Sequence, residues 1–180
     1  MNAAVDPVVD LALRAALALL FAAAAVHKLS DPTRFRAAVT EYHLLPVALV
    51  PVAAVGLVAL EATLVAALVI ARSIGLAGSA LVLMAYAGAI AVNLGRGRRD
   101  LDCGCLGAGG REHISWWLVG RNLGLATVAL AALRPVAARG LVWVDGLTVV
   151  GALVVAAFTW LAADGLLANR TGVARIRGAA

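Results

Sequence analysis

The chain has 180 residues, of which 63% are hydrophobic, 14% charged and 5% aromatic, where soluble domains carry about 45–50% apolar and about 25% charged residues. That apolar excess excludes an ordinary water-soluble domain, because burying so much apolar surface requires a solvent that is itself apolar. The formal charge of +5 does not indicate a nucleic-acid partner either: the basic residues sit mainly in short loops between apolar spans rather than on the face of a soluble module, and beside a membrane such charges contact anionic lipid.

A membrane-crossing helix needs about 20 mostly apolar residues, since the hydrocarbon layer is about 30 Å thick and each residue rises about 1.5 Å. In chain order the sequence offers five such windows, Val8–Val26, Val47–Ala71, Ile74–Leu94, Ile114–Leu133 and Val144–Leu167. Their Leu- and Ala-rich composition favours helix, and the period-two alternation of a transmembrane barrel is absent. The expected fold is therefore all-α, a polytopic transmembrane bundle of about five spans. It forms one membrane-embedded domain over residues 1–170, with a basic tail at 171–180. Ala22–Ala25 could end a cleaved leader, but Asp6 and Asp10 stand where a leader carries Lys or Arg, so the first helix is expected to remain.

After the first span, Asp31 is placed to cap a helix and Pro32 suits its first turn. Phe35, Val39 and Tyr42 then share one face at helical spacing, up to the stop at Pro46. A short amphipathic helix follows, lying on the membrane surface or packed on the bundle. Gly75, Gly78, Ser79 and Gly88 in the third span permit close helix approach. Trp116, Trp117 and Trp143 stand at span starts, as interfacial anchors do, and Trp160 reads as packing.

The N-terminal side carries Arg72, Arg134 and Arg139. The opposite side carries Lys28, Arg34, Arg36, Arg96, Arg98, Arg99, Arg111, Arg170, Arg175 and Arg177. An excess of Lys and Arg in short loops marks the cytoplasmic face, which makes the second side cytoplasmic on this rule.

Both cysteines of the chain, Cys103 and Cys105, flank Gly104 in the glycine-rich loop Gly95–His113 on that second side. A disulfide between them closes a very small ring, for which Gly104 supplies backbone freedom. Such a bond removes little loop entropy and is strained, so it stabilises little and exchanges readily. Asp100 and Asp102 oppose thiolate formation, while Arg96, Arg98, Arg99 and Arg111 favour it. Two other readings stand beside the redox pair. One is a two-thiolate clamp for copper or zinc completed from His27, His43 or His113, although the spacing matches no zinc pattern. The other is a pair of free thiols in a turn.

Glu61 lies mid-span, Arg121 and Asn122 about 10 Å inside the fourth span, and Arg14 about 9 Å inside the first. Charges in hydrocarbon cost at least about 2.5–3.5 kcal/mol each and therefore face the interior and pair. Glu61 is expected to reach Arg14 or Arg121. The group is then either an ion pair that fixes helix order or a polar pocket for a quinone-like or thiol partner.

The order Lys28, Glu41-Tyr42-His43-Leu44-Leu45-Pro46, Pro51 and Glu61, followed by Asn93–Gly97, Cys103-Gly104-Cys105-Leu106-Gly107, Ser115 and Arg121-Asn122, resembles the MauE proteins of methylamine utilisation, distant relatives of DoxX-like membrane proteins. The likeness spans about residues 10–135. It implies a bacterial inner-membrane (cytoplasmic-membrane) multi-pass protein beside a thioredoxin-like partner, with no cofactor, that assists disulfide formation and maturation of methylamine dehydrogenase. On that resemblance Cys103 and Cys105 are the redox pair, and Glu61, Arg121 and Asn122 the buried polar framework. Whether the chain is a thiol–disulfide oxidoreductase component or a non-enzymatic membrane subunit stays open at this point, as does its oligomeric state. Disulfide formation belongs outside the cytoplasm, whereas the charge count puts the cysteine loop inside.

Overall fold

The computed structural model describes residues 4–98, 101 and 114–178, with side chains to residue 163. Among them are six α-helices: α1 (Pro7–Ser30), α2 (Pro32–Glu41), α3 (Val50–Ile70), α4 (Arg72–Gly95), α5 (Trp116–Ala131) and α6 (Trp143–Gly178). One 3₁₀ turn, Val47–Leu49, leads into α3. Four segments are long and apolar enough to cross a membrane: Pro7–Ser30, Val47–Ile70, Arg72–Gly95 and Trp143–Ala163. The all-helical, multi-pass architecture expected from the sequence is thus present. The fourth window is realised as α5, whose 16 residues span about 24 Å at 1.5 Å per residue and so fall short of the about 30 Å hydrocarbon layer.

Local sequence sets the helix ends. The Asp6 carboxylate accepts from the Val8 amide at 2.8 Å and Pro7 occupies the first turn of α1. At α2 the same device recurs, with Asp31 accepting from the Arg34 amide at 3.0 Å. This is the amphipathic helix expected there; it packs on α3 with Ala38 buried. Only Ala71 separates α3 from α4, so the two antiparallel helices meet at a very tight corner. Gly75 makes that corner possible, because a Cβ there would stand 2.6 Å from the Leu68 backbone.

The helices alternate in direction. Arg72, at the start of α4, donates to the carbonyl oxygens of Ala132 and, at 3.0 Å, Arg134, just beyond the end of α5. Val5 exchanges backbone hydrogen bonds with Pro135 (2.9 Å) and Ala137 (2.8 Å). The start of α1, the α3–α4 corner and the end of α5 therefore share one end of the bundle, here called the N-terminal end. The end of α1, α2, the start of α3, the end of α4 and the start of α5 share the other.

Two apolar clusters fill the interior. Leu17, Phe21, Leu68, Leu76 and Ala129 make up much of the N-terminal half, and Ile90, Leu94, Leu101, Ile114 and Leu118 the opposite half. Helix α6 lies outside this core against α1. Its Leu147, Val150, Val155, Phe158 and Leu161 are all exposed, an apolar surface suited to lipid. Trp116, Trp117 and Trp143 are exposed as interfacial anchors would be.

At the N-terminal end Arg139 bridges Asp6 (3.2 Å) and Asp145 (2.9 Å). The Arg139 guanidinium and the Val8 amide hold the Asp6 carboxyl below its ordinary range. A depressed folded-state value means that this tether is present above the ordinary carboxylate pKa and is lost as pH falls through the depressed one. Amide protection at Val5 and Ala137 is therefore expected to persist from pH 7 down to about 4, the ordinary carboxylate range, and to fall only below it. Separately, Gly75→Ala should cost about 1–3 kcal/mol through overpacking, whereas Gly56→Ala, with open space around its Cβ position, should be neutral or stabilising by up to about 1 kcal/mol; thermal unfolding in detergent compares the two.

Candidate functional site

The core face of α1 runs Leu17, Phe21, Ala24 and then Lys28, all buried. The periodicity that buries the apolar residues thus buries an ammonium in the last turn as well. On α3 the same logic places Glu61 in line with Ala54, Leu64 and Leu68, at 0% exposure. The two side chains meet: Lys28 Nζ donates to Glu61 Oε1, with side-chain exposures of 3% and 0%. Tyr86 on α4 donates its hydroxyl to the same oxygen at 2.7 Å. One carboxylate oxygen therefore ties α1, α3 and α4 together.

Glu61 does not pair with Arg14 or Arg121, as depth alone suggested. Arg14 is committed at the N-terminal end, donating to Asp10 (3.0 Å) and the Leu68 carbonyl (2.9 Å), and Asp10 also accepts from Arg72 at 2.8 Å. Arg121 stacks on Trp160 of α6, 4.5 Å from the ring centroid, and Asn122 is buried nearby in sequence. Glu61, Arg121 and Asn122 thus fall into two separate settings rather than one cluster. The residues missed as partners were Lys28, counted among loop cations, and Tyr86. The signal for Lys28 was legible as the next step of the Leu17, Phe21, Ala24 stripe.

A cavity of about 250 Å³ opens beside the Lys28–Glu61 pair, between α2, α3 and α4. Lys28, Phe35, Tyr42 and Tyr86 line it, with the half-exposed Leu44 and Leu45 among its other walls. The Lys28 ammonium stands 5.4 Å from the Phe35 ring centroid and 5.3 Å from that of Tyr86. These are cation–π distances.

Cys103 and Cys105 lie outside the described residues. What is described is the foot of their loop. The Ile114 amide donates to the Leu101 carbonyl at 3.0 Å, and both residues are buried in the cluster against which Tyr42 packs. Arg98, three residues past the end of α4, stands 3.1 Å from His43 Nδ1, and His43 adopts a left-handed conformation (φ 49°). The cysteine segment therefore leaves and re-enters the bundle next to the wall of the cavity. Among the described residues no three His, Cys, Asp or Glu side chains gather as a metal-binding group.

A family model described as methylamine utilisation protein MauE matches residues 6–135, which includes α1 to α5, Lys28, Glu61, Tyr86 and the cysteine loop. The chain is 42% identical over 130 residues to the methylamine utilization protein MauE of Paracoccus denitrificans, covering 71% of this chain and 69% of that one. It is 42% identical over 136 residues to the MauE of Methylorubrum extorquens, with 73% of each covered. With the MauE of Methylophilus methylotrophus it shares 35% identity over 163 residues, 88% of this chain and 86% of the relative. No solved structure matches the chain.

Breaking a buried ion pair by removing one partner costs about 3–5 kcal/mol, while replacing both with apolar residues is often neutral. Lys28→Met alone and Glu61→Met alone are thus expected to destabilise the detergent-solubilised protein by about that amount, and the double variant to recover most of the loss. Thermal unfolding of the three proteins tests this.

Proposed function

The chain belongs to the MauE family, and on that basis we propose that it is a thiol–disulfide redox component of the bacterial inner membrane that assists maturation of a partner protein of methylamine utilisation. Its redox centre is the Cys103/Cys105 pair, working with a thioredoxin-like protein. The buried polar groups Glu61, with Lys28 and Tyr86, and separately Arg121 and Asn122 hold the helices that carry that loop.

The observation that carries this reading is the position of the pair. The chain's two cysteines sit one residue apart, within a segment whose feet, Leu101 and Ile114, are hydrogen-bonded and buried together. The buried feet fix where the segment carrying the pair joins the bundle, and a soluble partner would dock at that end.

The exchange conserves atoms and electrons. A thiolate of one protein attacks a sulfur of the other's disulfide, forming a mixed disulfide and releasing one thiolate; the second cysteine of the attacking pair then displaces the bridging sulfur. The net result is that one protein's two thiols become a disulfide while the other's disulfide becomes two thiols. Gly104 allows both sulfurs to reach one bond.

Labelling with a membrane-impermeant thiol reagent in intact cells, before and after mild reduction, tests the reading. Labelling of Cys103 and Cys105 only after reduction is the expected result for an oxidised pair outside the cytoplasm. Full labelling without reductant, and only once the membrane is opened, would place free thiols inside and defeat a role in disulfide formation. Cys103→Ser and Cys105→Ser should each abolish maturation of the partner while the protein still inserts.

A further inference from the structure

The cavity beside Lys28 and Glu61 has the chemistry of a binding site, and we propose that it takes the ring of a lipid-soluble quinone. The inference stands on the cavity alone and is independent of the cysteine pair.

Its walls are almost wholly apolar or aromatic, with Phe35, Tyr42 and Tyr86 around the space and Leu44 and Leu45 half exposed beside it. The exposed Leu44 and Leu45 leave this side of the cavity open to the outside of the bundle, beside the start of the apolar span Val47–Ile70. At about 250 Å³ the space is just below the about 300–1,000 Å³ of sites for drug-sized ligands. It suits one substituted ring, with any tail left in the lipid.

Charge narrows the ligand further. The Lys28 ammonium and Glu61 carboxylate compensate each other, so a charged ligand would arrive uncompensated in a low-dielectric setting and bear the full desolvation cost. A neutral ligand does not.

Hydrogen-bond capacity gives the functional group. An ammonium carries three donors, and among the described residues the Lys28 ammonium has one hydrogen-bond partner, Glu61 Oε1. The ring faces of Phe35 and Tyr86 are its other close company. A buried donor of this kind favours a ligand that accepts: a carbonyl oxygen on a flat ring able to lie among the aromatic walls. A quinone combines a neutral, flat, lipid-soluble body with carbonyl acceptors. A saturated acyl chain fits the walls but leaves the ammonium's donors unmet.

The test is isothermal titration of the full chain in lipid nanodiscs with a short-tailed benzoquinone and with an alkylbenzene of the same tail that lacks the carbonyls. The quinone should bind saturably at one site and at least roughly tenfold more tightly than the alkylbenzene, a difference of about 1.4 kcal/mol. Ala89→Phe, which fills the cavity, and Leu45→Trp, which narrows it from a half-exposed position with little demand on packing, should each weaken the quinone by a similar factor. Val52→Phe, on an exposed part of α3 away from the cavity, should not. In the Lys28→Met/Glu61→Met protein, which leaves no lone buried charge, the preference for the quinone should disappear. Equal binding of the two ligands by the unaltered chain would reduce the cavity to an adventitious lipid space and overturn the proposal. So would quinone binding that Leu45→Trp and Ala89→Phe leave unchanged.

Discussion

A charge inside a hydrocarbon solvent has to find its opposite within the protein, and that requirement organises this bundle. An unpaired ionised side chain at membrane depth costs at least about 2.5–3.5 kcal/mol, a large fraction of the stability of a chain this small. The bundle meets the requirement at two levels. Near the N-terminal end, Asp10 gathers Arg14 and Arg72, and the two guanidiniums reach on to the carbonyl oxygens of Leu68, Ala132 and Arg134. Toward the other end, Glu61 gathers Lys28 and Tyr86. The first knot fixes α1, α3, α4 and the end of α5; the second fixes α1, α3 and α4 again, further along. Two pinned points set the register of these helices far more tightly than Leu and Ala side chains facing similar lipid, where the hydrophobic effect gives helices little reason to associate.

The second knot does more than hold helices together. Its two charges neutralise one another, so the space beside it is apolar in sum yet still holds a donor-rich ammonium. The space exists because α2 returns from the end of α1 to cover α3 and α4 without filling the volume between them. Phe35 and Val39 on the apolar face of α2, with Tyr42 just past its end, become its roof. Tyr42 also touches the buried cluster that holds Leu101 and Ile114. The cavity, the ion pair and the foot of the cysteine loop thus lie next to one another toward one end of the molecule.

Much of this was legible in the sequence, for particular reasons. Window length and composition gave the helices, because lipid imposes a length that soluble cores do not. The cap at Asp31 and the apolar spacing of Phe35, Val39 and Tyr42 gave α2. Depth gave the burial of Glu61, but not its partner. Depth is a coordinate along one axis, whereas pairing depends on which helix faces which, and that follows from packing contacts such as Gly75 against Leu68. Lys28 was hidden by the predicted span's early end. Its sequence position near the end of a span suggested a loop cation, yet the α1 helix continues to Ser30 and turns the side chain inward. That inward turn also removes one charge from the tally used to orient the chain.

The paired backbones at the N-terminal end have a topological consequence. Val5 and residues 135–137 lie side by side, so the stretch from α1 to α5 begins and finishes at one point, and its path is a closed loop in all but one covalent bond. The order in which its helices occur along the polypeptide is then an accident of where that loop was cut. Joining residues 5 and 135 and opening the chain elsewhere would keep the neighbours within α1 to α5, while α6, which packs on α1, would have to be attached anew. Helix α6, attached just after the seam and outside the ring, is an appendage that this closed circuit does not need for its own continuity.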